Sequence, residues 1–584
     1  MQADSSTGEF FANNRDVLDA ILLKLTGAQA ARVAATCRAF RDALAPAAAL
    51  WAEYYASEFG DADFSFAASV TWARRFQTAY RRLQLCAARW NRGRAGEDDA
   101  GPGARQGAAS CAFTLAAFGG CFAVYGGWTD MHGISRDLHV LRRRESAASD
   151  SNYYWTPCMI AVTARPGPAP RQVYSGPSRA TYGVTVSAAQ SVGGSDGPGA
   201  QVERVKLLVL GGVTSGGYRG ATGALHTIEL RSTLVEHVLT GAQAARLSAE
   251  WTEESSVGGR PRAYHSATYA GGTAHASNQH KLWVFGGHND ETDGGCVAAF
   301  EAYDVATRTW DPVPLGPHPE PCARLGHSGT AVGGRLFISG GCTDSSNMKP
   351  NEGGEELSDV WLLDLRRPSA ELAWACVSLP YQAPPGALQR CHAAAPLGTN
   401  ILFFGGGRSS SLTNALSVFD TASSTWHDGP TTLAGRAPTA RQNAQCAIVP
   451  GSGVLVIFGG WRPGPMGQDR NLGDTILLDL DHQPSAAEVR PSSDQPFSAA
   501  TMPVGALLLG LPRRPATTLW ALLRLLCPWL FSVARAPDAR QPAPAPGCAI
   551  SPAPLGCLSP LIVSNPPCMP HTFSGSGGGG GGGW

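Results

Sequence analysis

Short apolar runs, each stopped by a glycine doublet, punctuate the middle of the chain: FAVYGG (122–127), LLVLGG (207–212), LWVFGG (282–287), LFISGG (336–341), FFGG (403–406) and VIFGG (456–460). Runs of β-branched, aromatic or leucine residues halted this way predict buried strands ending in tight turns. A polar loop follows most doublets, and then a second apolar run: LHVL (138–141), LHTIEL (225–230), AFEAYDV (299–305), DVWLLDL (359–365), ALSVFDT (415–421) and DTILLDL (474–480). A tryptophan comes next in five of these units, as Trp155, Trp251, Trp310, Trp374 and Trp426. Another strand precedes the doublet, opened in several units by Arg and His or Asn: RAYHSATY (262–269), RLGHSGTAV (324–332), RCHAAAPL (390–397) and RQNAQCAIV (441–449). Each unit therefore predicts about four strands. A repeated unit of this kind buries its faces only against further copies of itself.

The doublets, strand-end aspartates and tryptophans over roughly 106–500 resemble the kelch repeat. That resemblance implies a six-bladed β-propeller of four-stranded blades, in a chain that is mainly β. Doublets at 126, 211, 286, 340, 405 and 459 are 54 to 85 residues apart, against about 50 for a bare kelch unit. The excess predicts loop insertions at 142–152, 187–203, 231–249 and 344–356. The sixth unit lacks its tryptophan after DTILLDLD (474–481), and a strand from 106–118 or 485–500 is expected to complete it.

Ahead of the repeats the period changes. Val17, Leu18, Ile21, Leu22 and Leu25 share one face of a helix that Asn13 or Asn14 caps and Gly27 stops. A second stretch, 28–44, keeps Val33, Cys37, Phe40 and Leu44 on one side; Pro46 breaks it, and Leu50 and Trp51 follow. Asp16, Val17, Leu18, Ile21, Leu22 and Leu25, then Cys37, Arg38, Phe40 and Arg41, then Leu50 and Trp51 resemble the F-box, with FFANN at the usual Leu-Pro start and Thr36 before Cys37. The resemblance implies a small all-α F-box domain (10–58) that docks a Skp-type adaptor and cullin through Val17, Leu18, Ile21, Leu22, Leu25, Cys37, Phe40, Leu50 and Trp51. Some of these would supply contact and others its supporting core. Residues 59–105 read as a helical extension or linker, with Trp72, Phe76 and Tyr80 spaced four apart on one helix face.

Composition narrows the function classes. Hydrophobic residues make up 43% of 584 and charged residues 16%, with 70 glycines; this suits a turn-rich β structure with a large core. A formal net charge of zero gives no bulk signal for nucleic acid or an acidic surface. Fifteen cysteines, an odd number without C-x-x-C, favour free thiols in a reducing compartment. MQADSSTGEF lacks the basic and apolar regions of a secretory leader, so a cytoplasmic or nuclear protein is expected. Residues 501–584 read as a low-complexity, disordered tail. Its apolar stretch 519–534 is short and broken by Arg524 and Pro528, which argues against a membrane span.

The sequence offers little catalytic chemistry. No phosphate loop, nucleophile elbow or H-E-x-x-H is present. The recurring Arg/His pairs (Arg262/His265, Arg324/His327, Arg390/His392) read as structural hydrogen bonders, and Asp304, Asp364, Asp420 and Asp479 as turn formers. No cofactor or metal is expected. A propeller oxidase would need metal ligands that cannot be assigned here. Recognition falls to loops on a rigid scaffold. Those after the doublets offer Trp128, His132, Tyr218, Arg219, His288, Asp290, Arg408, Trp461 and Arg462 as contacts for an unidentified target protein. The expected function is substrate recruitment to an SCF-type ubiquitin ligase; the alternative is a kelch scaffold independent of ubiquitin.

Overall fold

A computed structural model describes residues 48–59 and 70–482, apart from segments chiefly at 93–100, 144–152, 163–182, 214–220, 237–242, 290–294 and 344–354, together with a few earlier positions such as Leu22, Leu25, Gln29–Ala31 and Leu44. Most of Val17–Phe40 and all of 483–584 lie outside the described residues, and with them the expectations for Val17, Leu18, Ile21, Cys37, Phe40 and the tail.

The described chain is mainly β. Each repeat folds as an antiparallel sheet in chain order. The first holds Ala109–Leu115, Gly119–Tyr125, Leu138–Arg143 and Tyr153–Cys158. The second holds Thr185–Ser195, Gln201–Leu210, Leu225–Glu236 and Gln243–Ser255, with Ile160–Val162 parallel on its outer edge. Ser266–Ala270, Lys281–Phe285, Phe300–Asp304 and Thr309–Pro312 form the third. Ser328–Val332, Arg335–Cys342, Glu356–Asp364 and Trp374–Ser378 form the fourth. The fifth is Ala393–Leu397, Asn400–Phe404, Leu416–Asp420 and Thr425–His427. In the second unit the extra length at 187–203 and 231–249 is not purely loop: it lengthens the sheet's own strands.

The sixth sheet closes differently from expectation. Gln445–Val449, Val454–Phe458 and Thr475–Asp479 supply three strands, and the fourth is Ala88–Arg92 from ahead of the repeats. Residues 106–118 do not play this part, because Ala109–Leu115 opens the first sheet; 485–500 lies outside the described residues. Residues 88–92 thus belong to the repeat structure, not to a linker. The strand also brings the missing tryptophan. Trp90 lies opposite Leu478, as Trp155 lies opposite Leu141, Trp251 opposite Ile228, Trp310 opposite Tyr303, Trp374 opposite Leu363 and Trp426 opposite Phe419. The strand-end aspartates make the expected turns: Asp304, Asp364, Asp420 and Asp479 each accept a backbone N–H from two residues on.

Backbone hydrogen bonds link the sheets at their inner ends. The residue just ahead of each inner strand sits in the left-handed region: Gly107, Gly183, Tyr264, Gly326, Cys391 and Asn443, at φ 55–66°. Gly183 N donates to Gly107 O (2.9 Å), Tyr264 N to Gly183 O (2.8 Å), Gly326 N to Tyr264 O (3.0 Å), Cys391 N to Gly326 O (2.7 Å), Asn443 N to Cys391 O (2.9 Å) and Gly107 N to Asn443 O (3.4 Å). The cycle returns to its starting residue.

The doublets fit this junction. Added Cβ atoms on Gly211 and Gly286 would lie 2.7 and 2.8 Å from the imidazoles of His265 and His327 in the next sheet. Gly287 and Gly341, at φ 101° and 94°, press on the Cβ atoms of His265 and His327. Both glycines are therefore required.

Two helices precede the closing strand: α1 (Ala48–Phe59) and α2 (Trp72–Gln84). Leu22, Ala30, Leu44, Trp51, Tyr54, Phe59 and Phe76 share one apolar core with Trp90, Phe404, Leu455 and Leu478. Tyr54 Oη donates to Leu22 O at 2.5 Å, and Trp51 Nε1 to Leu44 O at 3.1 Å. Arg82 on α2 is buried and donates twice to Asp481, at 2.8 and 2.7 Å, while Asn400 Nδ2 donates to Leu83 O. The helices are thus seated on the turns of the fifth and sixth sheets, on the face away from the glycine doublets.

Trp90→Ala should cost about 3–5 kcal/mol in urea unfolding, as Trp374→Ala should, because each empties a buried site. Trp128→Ala, at an exposed position, should stay within about 0.5 kcal/mol. A Trp90→Ala effect as small as that of Trp128→Ala would show that the N-terminal strand does not close the sixth sheet.

Candidate functional site: the doublet-loop face

The loops after the doublets and the connections between sheets share one face, because doublet amides bond to those connections. Gly287 N donates to Arg324 O and Gly406 N to Arg441 O, each at 2.8 Å. Beneath this face a framework arginine stands two residues ahead of the left-handed position in most units. Arg105, Arg262, Arg324 and Arg441 each donate from Nη1 to a doublet carbonyl, of Gly126, Gly286, Gly340 and Gly459. All four are buried with an acid close by. Arg324 donates to Asp359 at 2.6 and 3.0 Å, Arg441 to Asp474 at 2.6 and 2.9 Å, and Arg262 pairs with Glu301. Arg105 reaches Asp137 through Ser135. Buried guanidinium groups satisfied in this way are structural, and loss of either partner leaves an unpaired buried charge.

Histidines stitch the third, fourth and fifth sheets to their predecessors. His265 Nε2 lies 2.9 Å from Thr185 Oγ1, His327 Nε2 3.0 Å from Ser266 Oγ, and His392 Nε2 2.9 Å from Ser328 Oγ. Burial disfavours their protonation: His392 is pushed down to about 4, and His265 and His327 well below the ordinary 6.5, with Arg262 and Arg324 adding to the effect. These side chains border an axial cavity of about 210 Å³. A second, of about 410 Å³, opens toward the helices and is lined in part by Arg82. Burial pushes the thiols of Cys111, Cys391 and Cys446, which border these cavities, up to about 12, so they are poor nucleophiles. The described cysteines are free thiols. Among the described residues no group of three His, Cys, Asp or Glu could hold a metal ion.

The fifth unit departs from this scheme. Gln389 stands where the other units place the framework arginine, and Ala415 where Asp137, Asp359 and Asp474 stand. Arg390 is one residue further on, at the position of Ala263, Leu325 and Gln442, and so is not the equivalent of Arg262 or Arg324. It is buried, its Nε lies 3.6 Å from Glu356 Oε1, and its own backbone N–H donates to Glu356 Oε2 at 3.0 Å. Arg408 Nε reaches the same Glu356 Oε1 at 3.1 Å. Beside Glu356 runs the turn Pro380–Gln382, because Ser378 pairs with Val360 and the chain continues along the start of that strand. The turn presents Tyr381, 81% exposed, next to Leu379, 43% exposed.

Of the loop residues expected to meet a target, Trp128 is exposed and Arg462 half-buried. Arg408 is engaged with Glu356. His288 and Trp461 are instead buried: His288 Nδ1 faces Gly295 O at 2.9 Å, and Trp461 pairs through its backbone with Gln442 and Asn471. Both hold loops in place and present no tip. His132, Tyr218, Arg219 and Asp290 lie outside the described residues. Of the expected adaptor contacts, Leu22 and Trp51 are sealed in the shared core and serve as support, while Leu25 and Leu50 pack against it partly exposed. Tyr381, Leu379 and Glu356 escaped the sequence reading because they lie on no repeat landmark. The missing framework arginine of the fifth unit was the available signal.

Comparison with known proteins agrees with the architecture. Residues 272–502 match the KLHDC2/KLHL20/DRC7 kelch-repeats domain, and the sheets are those of kelch propeller blades. The chain carries a kelch-repeat domain, a protein-interaction module. It is 29% identical over 175 residues to host cell factor of Drosophila melanogaster, covering 28% of this chain and 11% of that protein. Over 105 residues it is 35% identical to the Rab9 effector protein with kelch motifs of Xenopus laevis, covering 18% of this chain and 26% of that protein. Human host cell factor 1 is 29% identical over 150 residues, covering 25% of this chain and 7% of that protein. The chain spans only a small part of these relatives.

Acid should loosen the stitching. The three histidines are neutral when folded, whereas the unfolded chain takes up a proton near pH 6.5. Their stabilisation is therefore complete above about 6.5 and is lost as pH falls toward about 4. The urea midpoint should fall from pH 7.5 to 5, at most about 1.4 kcal/mol per pH unit for each histidine. His327→Gln should lower stability at pH 7.5 and flatten the slope. An unchanged slope would mean that His327 is not buried neutral.

Proposed function

We propose that the chain is a substrate-recruiting subunit of an SCF-type ubiquitin ligase and performs no bond chemistry itself. On this reading the six sheets form a six-bladed kelch propeller whose doublet-loop face holds a target protein. The F-box-like helices ahead of it dock a Skp-type adaptor and, through it, cullin. The observation that carries the reading is the way the helices are seated. The Arg82–Asp481 pair and the Trp90 strand hold α2 on the face opposite the doublet loops, and Leu22, Leu44 and Trp51 share its core, so an adaptor and a target would meet different sides of the chain. Holding a target near a transferring enzyme raises its effective concentration.

A second reading is a kelch scaffold independent of ubiquitin. It is favoured by the burial of Leu22 and Trp51 in the same core as the sheets, as in a helical cap. The two readings separate on the helix face that the F-box resemblance assigns to contact. Leu18→Glu and Ile21→Glu should abolish co-purification of a Skp-type adaptor and cullin while the melting curve of the kelch domain is retained. No adaptor capture by the parent chain would decide for the scaffold, and unchanged capture by both variants would show that this helix face is not the contact.

A further inference from the structure

Side chains hold the junctions between neighbouring sheets in different ways. Imidazoles bridge the second sheet to the third, the third to the fourth and the fourth to the fifth, through His265, His327 and His392. At the equivalent position the other three junctions have Ala108, Val184 and Ala444. Two of these three have a substitute. Trp155 Nε1 of the first sheet donates to Thr475 Oγ1 of the sixth at 3.0 Å. The rings of Tyr125 and Trp251 meet between the first and second sheets, with centroids 6.2 Å apart. The fourth and fifth sheets even have an indole bond in addition to the imidazole, from Trp426 Nε1 to Ser378 Oγ at 2.9 Å. Between the fifth and sixth sheets both bonding devices are missing among the described residues. Trp90 packs on Phe404 of the fifth sheet, yet its buried Nε1 has no hydrogen-bond partner among those residues. Ala393 and Ala444 stand where the other junctions place a hydroxyl and an imidazole.

On the face away from the doublet loops, α2 spans this same junction. Asn400 Nδ2, at a turn of the fifth sheet, donates to Leu83 O at 3.0 Å. Arg82, one residue earlier on the helix, donates twice to Asp481 beside the sixth sheet. Adjacent residues of one helix thus hold two sheets. The apolar core beneath them is continuous: Phe76 and Trp90 share it with Leu397 and Phe404 of the fifth sheet and Leu455 and Leu478 of the sixth. We infer that α2 is the clamp of the fifth–sixth junction, and that its seating sets how tightly the doublet-loop face is closed there. On that face the junction is held by Gly406 N donating to Arg441 O and Asn443 N donating to Cys391 O. With α2 displaced, these bonds open locally while the histidine-bridged junctions stay shut. The helices and this sector of the doublet-loop face are thereby coupled, and the coupling is reciprocal. A partner that steadies α2 tightens the sector, and a ligand that needs the sector closed steadies α2. The coupling holds whichever partner the helices take, and so stands apart from the ligase reading.

Amide hydrogen exchange of the full chain, read by mass spectrometry, tests the clamp. Asp481→Asn together with Asn400→Ala cuts both arms. Exchange in peptides covering 441–446 should then rise about tenfold, while peptides covering 324–329 and 388–393 keep the parent rate. Asp481→Asn alone alters an exposed side chain and should give the same pattern at smaller size, so the clamp stays testable even if the double variant does not fold. Arg335→Ala is the control. Arg335 Nη1 donates to Thr421 O and so joins the fourth and fifth sheets at 3.3 Å, where His392 also bridges. Its loss should leave both 388–393 and 441–446 unchanged. An unaltered rate at 441–446 in the Asp481 variants, equal acceleration at 324–329 and 388–393, or the same acceleration from Arg335→Ala would overturn the clamp. None of these results bears on adaptor capture, which stands or falls on Leu18 and Ile21.

Discussion

At the inner end of each sheet one residue turns back into the left-handed region and hands its amide proton to the carbonyl of the residue before it in the cycle. Six such bonds return to their starting point, and everything else is arranged to permit them. Glycine takes the position at 107, 183 and 326 without cost, and asparagine at 443 tolerates it. Tyr264 and Cys391 do so at a penalty of about 1–2 kcal/mol each, which a cycle that closes can absorb. Each bond is worth only about 1 kcal/mol net. A bond in a closed cycle, however, cannot be lost without moving two sheets, and the histidine bridges and framework arginines lock the same sheets from below. The glycine doublets follow from this packing, since a Cβ on Gly211, Gly286 or Gly340 would crowd the next sheet's imidazole and one on Gly405 or Gly459 the backbone carbonyl of Arg441 or Arg105.

A repeat makes its exceptions visible. In the units with a framework arginine, the guanidinium meets a doublet carbonyl and has an acid nearby. The fifth unit removes both arginine and acid and installs Arg390 one residue along, where the other units have Ala263, Leu325 or Gln442. Nothing in the packing requires that change; a smaller neutral residue serves equally well elsewhere. The added charge demands compensation, and the compensation comes from a residue on another sheet that a second arginine also contacts.

The period-two runs, the doublets and the tryptophans made the sheets legible, because each marks a position whose burial or backbone angle the packing dictates. The strand-end aspartates were legible for the same reason. Closure of the sixth sheet was not. Trp90 stands in ARWNR, where charged and polar residues mask the strand signal, and its partner strand is almost four hundred residues away. Arg390 was misread because its distance from His392 imitates the spacing of the framework pairs with one residue missing. His288 and Trp461 look like loop tips, yet each is drawn inward by backbone pairing that local sequence does not reveal. Conversely, the exposed Tyr381 falls between landmarks, and only the neighbouring strand's register places it beside Glu356.

Closure through Ala88–Arg92 also ties the two ends of the described chain together. The strand follows α2 after a few residues, so the helix must end where the sixth sheet begins. Arg82 then meets Asp481, just beyond that sheet's third strand, and Leu83 meets Asn400 on the fifth. These contacts fix the helix's position and its rotation, because a bidentate pair from the buried Arg82 to the exposed Asp481 and a backbone acceptor a residue apart leave little freedom to swivel. Flexible attachment would spread whatever the helices hold over a wide volume and dilute its encounter with anything on the doublet-loop face. On the reading proposed above, the fixed attachment of α2 concentrates it in one place, at a distance set by the thickness of the sheets.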